Sequence, residues 1–328
     1  MEWRPIPDLS GDLPGDLTVP MQQHVHYART CQIMGSQVQS YVAGPATQPR
    51  AYAQILRRRL PVIGHVAQLA RGPIWPYPVS LDQAAKGLDD LVRALRRTNR
   101  VVIVISEPLV GQDPAKSTKL LPLFTGATHA YLNLDGTSED RLMRQHGKWR
   151  NRLRRAQDSG LKVDQSGMPG DTEHWLLDRE VQQSKEMRYG ALPSEFTIAW
   201  RQANGPKSTR LCVARYKGKP VAAMLFLCHG NAATYHIGWS NQVGRDLHAH
   251  NLLLWTATEW FAALKFKWID LGLIDTETRP SLARFKIGSG ATAHPLGATY
   301  LSAIGTQPIR SLTRLADFRS RQSQQVRG

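Results

Sequence analysis

The chain of 328 residues is poor in cysteine, in acid and in long apolar runs. Its three cysteines, Cys31, Cys212 and Cys228, are odd in number and spaced for neither a disulfide framework nor a thiolate metal site, so they read as reduced thiols of a cytoplasmic protein. No segment reaches the roughly 20 apolar residues of a membrane span. The start, Met1-Glu2-Trp3-Arg4-Pro5 followed by Asp8, Asp12 and Asp16, lacks the basic head and apolar run of a signal peptide. Any membrane contact is therefore expected to be peripheral, at the inner face. No Gly-x-Ser-x-Gly elbow or phosphate-loop lysine motif occurs, which argues against a covalent serine intermediate and a P-loop nucleotide site. Acidic residues number 26 against 42 Lys and Arg, a net charge of +16 and a pI near 10.1. That excess calls for an anionic partner: nucleic acid, an acidic membrane surface or a phosphate-bearing substrate.

What is present is an ordinary globular composition, 41% hydrophobic and 21% charged, at a length that suits two domains. Pro5, Pro7, Pro14 and Pro20 mark residues 1–24 as an irregular arm. A short helix over 26–34 precedes three strands, at 37–42, 51–60 and 62–70, in a meander. Ser80 or Asp82 opens a helix to about 98, with Leu81, Ala84, Ala85, Leu88, Leu91, Val92 and Leu95 at helical spacing. The β-branched run 101–105 predicts a strand covered on both faces. After a strand at 130–134, Thr137 and Asp140 stand in capping-box spacing. They open one helix to about 158 whose stripe is Leu142, Trp149, Leu153 and Ala156. The second half repeats the plan: a helix at 175–189, strands at 211–216, 221–229 and 233–239 with turns between, a helix at 249–264 and a strand at 268–271. Meander, helix, strand occurs twice, which reads as a structural repeat. The expected division is a first domain over 25–157, a second over 158–305 and a basic tail over 306–328.

Five segments carry a resemblance. Arg71-Gly72-Pro73 precedes the first-half helix. Lys148-Trp149-Arg150-Asn151-Arg152-Leu153-Arg154-Arg155-Ala156 is followed by Gly160. Gly218-Lys219-Pro220-Val221-Ala222-Ala223 forms a hairpin, Asn251-Leu252-Leu253-Leu254-Trp255 opens a helix, and Phe285-Lys286-Ile287-Gly288-Ser289-Gly290 ends the set. In this order, over roughly residues 25–305, they resemble the FemAB-like transferases, tandem GNAT-like domains that include the aminoacyl-tRNA-dependent enzymes of peptidoglycan bridge synthesis. Ser289 stands where that family often has a second aromatic, and the long coiled-coil arm of some members is absent. The resemblance implies an α/β (α+β) fold of two mixed, mostly antiparallel sheets flanked by helices. It also implies transfer of an aminoacyl or acyl group from a co-substrate, aminoacyl-tRNA or acyl-CoA, to an amine of a cell-envelope precursor, with no permanently bound cofactor.

The resemblance puts a catalytic or donor-phosphate role on Lys286, with Phe285 packed beside it. A fixed ammonium can stabilise the oxyanion of an ester-to-amide transfer or hold a phosphate, and Gly288 and Gly290 are expected to let a ligand approach the backbone. Asp270, ending a strand expected to be buried, has two readings: proton acceptor from the amine, or a structural carboxylate satisfying backbone donors or pairing with Arg284 or Lys286. Ordinary GNAT acetyltransferases cradle the pyrophosphate of coenzyme A on an Arg/Gln-x-x-Gly-x-Gly/Ala loop at a helix N-terminus. Here Gln242-Val243-Gly244-Arg245-Asp246-Leu247-His248-Ala249-His250 lacks the glycine pair, and Asp246 opposes phosphate. Arg245, His248, His250 and Asn251 are instead expected to line a substrate cleft, and the histidine pair has too few partners for a metal. The cations Arg141, Arg144, Lys148, Arg150, Arg152, Arg154 and Arg155 are expected to form a surface for tRNA or for an anionic lipid-linked or nucleotide-sugar acceptor, the alternative being charge pairing with acidic residues elsewhere in the chain. The tail adds Arg310, Arg314, Arg319, Arg321 and Arg327. Two alternatives stand beside this reading: an acyl-CoA-dependent N-acyltransferase for polysaccharide or lipid, and a non-catalytic basic module binding RNA or membrane.

Overall fold

A computed structural model describes residues 1–9, 17–45, 47–109, 111–170, 174–187, 190 and 192–306; the tail arginines lie outside the described residues. In chain order the elements are β1 (Trp3–Ile6), α1 (Val25–Ile33), β2 (Gln37–Ala43), β3 (Ala51–Leu60), β4 (Gly64–Gly72), α2 (Leu81–Arg96), β5 (Val101–Ser106), β6 (Leu121–Phe124) and β7 (Thr128–Asn133). There follow α3 (Ser138–Met143), α4 (Gly147–Asp158), β8 (Lys162–Ser166), α5 (Trp175–Glu186), α6 (Ser194–Asn204), β9 (Thr209–Tyr216), β10 (Lys219–His229), β11 (Ala232–Ser240), α7 (Gln242–Asp246), α8 (Ala249–Ala263), β12 (Trp268–Leu273), α9 (Pro280–Gly288), β13 (Thr292–Pro295) and β14 (Thr299–Ala303).

These elements build two units, each on its own sheet. The first holds Met1–Leu17, Ser36–Ala127 and the chain from Pro295 on; the second holds Thr18–Gly35 and Thr128–His294. The expected boundary at 157/158 thus falls inside the second unit, and residues 18–35 belong with that unit rather than the first. The reason is long-range pairing. β7 runs antiparallel to β12 (Trp268 opposite Asn133, Asp270 opposite Tyr131), and Trp149 and Leu153 of α4 share a core with Leu253, Leu254 and Phe261 of α8. In the first unit β14 closes the sheet against β5, with Tyr300 opposite Val104.

The sheet orders are β1-β2-β3-β4-β5-β14-β6 and β8-β9-β10-β11-β12-β7-β13. Each sheet has an antiparallel meander, a helical crossover to a parallel strand (β4 to β5, β11 to β12) and an antiparallel strand beyond it. The repeat read from the sequence is present in the fold. The proline-rich arm differs from expectation, because Trp3–Ile6 pairs with β2. Trp3 anchors it by donating its indole N–H to the Gly87 carbonyl at 2.8 Å, and Pro5 is tolerated because β1 is an edge strand.

In the first unit α2 begins at a full capping box, Ser80 with Gln83. It lays Leu88, Leu91, Val92 and Leu95 on Ile55, Leu69, Val102 and Val104, each large side chain stabilising by about 1.5–3 kcal/mol. β5 alternates buried and half-buried residues, so it is fully covered on one face, not on both. Arg71, before the Gly72–Pro73 peptide, is buried and donates to both carboxylate oxygens of Glu107, at 2.9 and 3.0 Å. In the second unit α8 buries Leu253, Leu254, Ala257 and Phe261 against β10, and Phe261 meets Phe226 edge-on at 5.5 Å. Cys31, Cys212 and Cys228 are free and buried.

Candidate active site

The second unit's sheet is incomplete at one place. β11 and β12 pair only from Ala232–Thr234 to Trp268–Asp270, although β11 runs on to Ser240 and β12 to Leu273. A bulge at His236, where Leu225 faces Ile237 but Phe226 faces Tyr235, falls just past the last pair and increases the local twist. Two cavities occupy this opening, of about 500 and about 610 Å³, sharing Tyr235, His236, Arg279 and Leu282 in their walls.

Lys286 is on the wall of the smaller cavity. It lies in the last turn of α9, only 5% exposed, and its Nζ donates to the Leu273 carbonyl at 2.8 Å. Burial holds its pKa well below the ordinary 10.5, at about 8; the Asp270 carboxylate opposes that fall and the Arg279 guanidinium adds to it. An ammonium has three donors, so a ligand has directions left in which to meet it. Asp270 is buried as well. Its Oδ1 accepts the Gly272 amide at 2.8 Å, and both carboxylate oxygens lie 3.0 Å from His129 Nδ1. Asp270 thus satisfies a backbone donor; its hydrogen-bonded side-chain neighbour is His129, and its charge acts on Lys286; the sequence contains no pattern that marks His129.

Phe285, Arg245, His248, His250 and Asn251 all line the larger cavity, joined there by Arg152 of α4. Phe285 packs on Trp149 at 6.0 Å and lies 6.2 Å from the His250 ring. Arg245 is held by the Ser240 carbonyl at 2.7 Å and by Gln242. Burial drives the imidazoles toward neutrality: His236 falls to about 4, with Oγ1 of Thr197 2.7 Å from its Nε2. His250, whose Nε2 faces the Trp239 carbonyl at 3.1 Å, is also lowered by burial, as is His248, where Arg152 and Arg155 add to the effect. Asn251 is 5% exposed and its Nδ2 has no hydrogen-bond partner among the described residues. An orphaned buried donor costs about 1–3 kcal/mol, an arrangement that a ligand acceptor would relieve.

Three sequence expectations change here. The single helix over 137–158 is two, α3 and α4, parted at Arg144–His146, where the His146 amide turns to the Gly288 carbonyl at 3.0 Å. The seven cations therefore do not form one face. Arg141 is spent on Glu259, at 2.8 and 3.1 Å, Arg144 on the carbonyls of Asn133 and Asp135, and Arg150 on those of Met143 and Gln145. Arg150 thus caps α3, whereas Lys148, Arg152, Arg154 and Arg155 are exposed on α4. Finally, Gly288 and Gly290 make room for the protein itself: a Cβ on Gly288 would stand 3.0 Å from Cδ1 of Trp149, and one on Gly290 3.1 Å from the Arg144 backbone. Gly244 likewise faces the Val221 carbonyl, 2.2 Å from where its Cβ would be. Among the described residues no group of three or more His, Cys, Asp or Glu is placed to hold a metal ion, and no helix is long and apolar enough to cross a membrane.

A meander, a crossover helix, a strand pair that parts, and the same plan in both units define a tandem GNAT fold. Residues 143–286, which include α4, the opening and Lys286, match the Acetyltransferase (GNAT) domain. The crystal structure of FemX superposes with a TM-score of 0.75 at 13% identity, covering 95% of this chain and 99% of that one. A tandem GNAT protein from the clavulanic acid biosynthesis pathway gives 0.54 at 12% identity, over 92% and 98%. The C-terminal domain of a putative lysylphosphatidylglycerol synthetase from Agrobacterium fabrum gives 0.50 at 14%, over 88% and 90%. No curated protein matches the sequence. The likeness to FemAB-like proteins read from five short segments is thus met by the fold, and residues 143–286 of the second unit are similar to a GNAT acetyltransferase domain.

Proposed function

We propose that the protein transfers an aminoacyl group, activated as its tRNA ester, to an amine of a cell-envelope precursor, and that the reaction takes place in the opening between β11 and β12. The observation that carries this reading is Lys286: a buried lysine whose pKa, lowered to about 8, still lies above neutral pH, on the wall of a cavity in the segment matched to an acetyltransferase domain. The acceptor amine attacks the ester carbonyl, negative charge collects on its oxygen, and the Lys286 ammonium stabilises that oxyanion. Collapse re-forms the carbonyl, breaks the ester bond and returns the ribose hydroxylate, which takes up the proton lost by the amine. Water or substrate carries that proton, and positioning supplies much of the rate. Asn251 offers its free N–H to a donor or acceptor carbonyl. Arg152, Arg245 and Arg279 supply positive charge for phosphates, and Lys148, Arg154 and Arg155 extend it along α4.

Two features favour tRNA over coenzyme A as donor. The loop at 242–250 has Asp246 where a pyrophosphate would lie, and its one glycine, Gly244, is required by packing on Val221. The test is a donor screen, charged tRNAs against acyl-CoAs, with products read by mass spectrometry. Acylation that needs charged tRNA and stops on ribonuclease treatment is expected; activity with acetyl-CoA alone, insensitive to ribonuclease, refutes it. The second reading, an acyl-CoA-dependent N-acyltransferase, draws on the GNAT domain match itself, and retention on immobilised coenzyme A would favour it.

A further inference from the structure

The first unit has a binding surface of its own, built wholly from its own residues. An open concavity of about 850 Å³ lies between the β3–β4 hairpin and the end of α2. Arg59, Arg96, Arg97 and Arg100 line it together with His65, and no acidic residue does. Arg96 is tied to the Asn99 carbonyl at 2.8 Å. Arg59, Arg97 and Arg100 are exposed, and no ion pair holds them among the described residues. Guanidinium groups gathered without counter-charges form a site for anionic phosphate.

The rim of the same concavity is aliphatic: Leu60, Val62 and Ile304 line it and are 40, 99 and 85% exposed, and Ile63, next to Val62 in the chain, is 46% exposed. Val62 is at the hairpin tip in a three-residue turn, where the Ile63 amide donates to the Pro61 carbonyl at 2.7 Å and φ of Val62 is +68°. A β-branched residue is strained in that conformation, which glycine or asparagine enters more easily. The chain thus keeps a strained backbone and presents a fully exposed valine beside an isoleucine. Strain that packing does not explain points to a use of the presented side chain.

We propose that this face docks on an anionic lipid bilayer, with the arginines on lipid phosphates and Val62 and Ile63 in the headgroup–acyl boundary. A polyanion alone accounts for the arginines but gains nothing from the aliphatic tip. Surfaces that hold single-stranded nucleic acid offer several aromatic platforms for successive bases, whereas this concavity is lined by no Phe, Tyr or Trp among the described residues, and its one aromatic ring is His65. Charge attraction combined with buried aliphatic area is the pairing that holds peripheral proteins to membranes.

The full chain is to be sedimented with vesicles of phosphatidylcholine alone and of equimolar phosphatidylcholine and phosphatidylglycerol. Wild type is expected with the anionic vesicles and not with the zwitterionic ones. Val62→Asp with Ile63→Asp, at positions exposed enough to leave the fold intact, is expected to lose the vesicles while retaining bulk tRNA. Neutralising Arg59, Arg97 and Arg100 to Gln should weaken vesicle binding about a hundredfold, roughly fivefold for each arginine. Val62→Trp should shift its fluorescence to the blue on anionic vesicles. Vesicle binding by the double aspartate variant at wild-type strength overturns the proposal, as does equal binding to both vesicle types. Loss of tRNA and vesicle binding in the arginine variant, with the tip variant unaffected in both, would show a polyanion surface and also overturn it.

Discussion

Lys286→Met removes the ammonium but keeps the length and apolar stem of the side chain, so it separates charge from packing. Losing one preorganised group that meets the oxyanion costs on the order of 10²–10³ in kcat, about 2.7–4 kcal/mol. The fold should not suffer to match. A fall in pKa from 10.5 to about 8 means that burial favours the neutral amine by about 3 kcal/mol. Removing a charge that is costly to bury offsets the lost bond to the Leu273 carbonyl, worth about 1–3 kcal/mol if that acceptor is stranded. The sign of the pH dependence follows. Below pH 8 the lysine is charged in both folded and unfolded chains, and the native state carries the whole penalty. Between pH 8 and 10.5 the unfolded chain binds more protons, so this group makes wild type more stable as pH rises. Thermal unfolding of wild type and Lys286→Met from pH 6 to 10 should therefore show wild type gaining on the variant above pH 8. Activity should do the opposite: if the ammonium is the working form, kcat/KM of wild type falls as pH rises through about 8. A rate that rises through pH 8, or a Lys286→Met variant with wild-type kcat, refutes an electrostatic role and points to a neutral amine or to no role.

Asp270→Asn should move that alkaline limb to lower pH, because the Asp270 carboxylate is what opposes the fall in the Lys286 pKa; a pH–rate profile reads the shift. Replacing Lys148, Arg152, Arg154 and Arg155 by Gln should raise KM for an anionic donor with little change in kcat, and should flatten the salt dependence by close to one counterion for each phosphate no longer neutralised. Arg150→Gln should instead lower the melting temperature, since its guanidinium holds the Met143 and Gln145 carbonyls at the end of α3. Gly288→Ala, whose Cβ would crowd Trp149 at 3.0 Å, should destabilise by about 1–3 kcal/mol in denaturant titration.

The sequence announced local order well and distant pairing poorly. The helix start at Ser80 or Asp82, of which the fold uses Ser80, the 3.6-residue stripe of α2, and the turns at Lys217-Gly218 and Gly230-Asn231 are signals within a few residues, and each appears in the fold. Leu142, Trp149, Leu153 and Ala156 continue a helical stripe across a break, because what ends α3 is a bond from His146 to Gly288, well over a hundred residues away. The same limit hid the allocation of β7 and β14: two short strands with similar patterns join different sheets, and nothing within either segment says which. At the site, Lys286, Phe285, Arg245, His248, His250 and Asn251 were named from a motif and from the approach to a helix, and the fold gathers them around one opening. His129 was invisible because its role exists only through the pairing of β7 with β12. Gly288 and Gly290 look like ligand-approach glycines in sequence, since a small residue leaves the same mark whether a ligand or Trp149 needs the space.

Where the reacting carbonyl binds is most directly read from a crystal structure with a stable amide analogue of an aminoacyl-adenosine. The carbonyl oxygen should lie within hydrogen-bond distance of Lys286 Nζ, in the opening between β11 and β12. An analogue bound away from that opening, or bound there with its carbonyl turned from Lys286, contradicts the account.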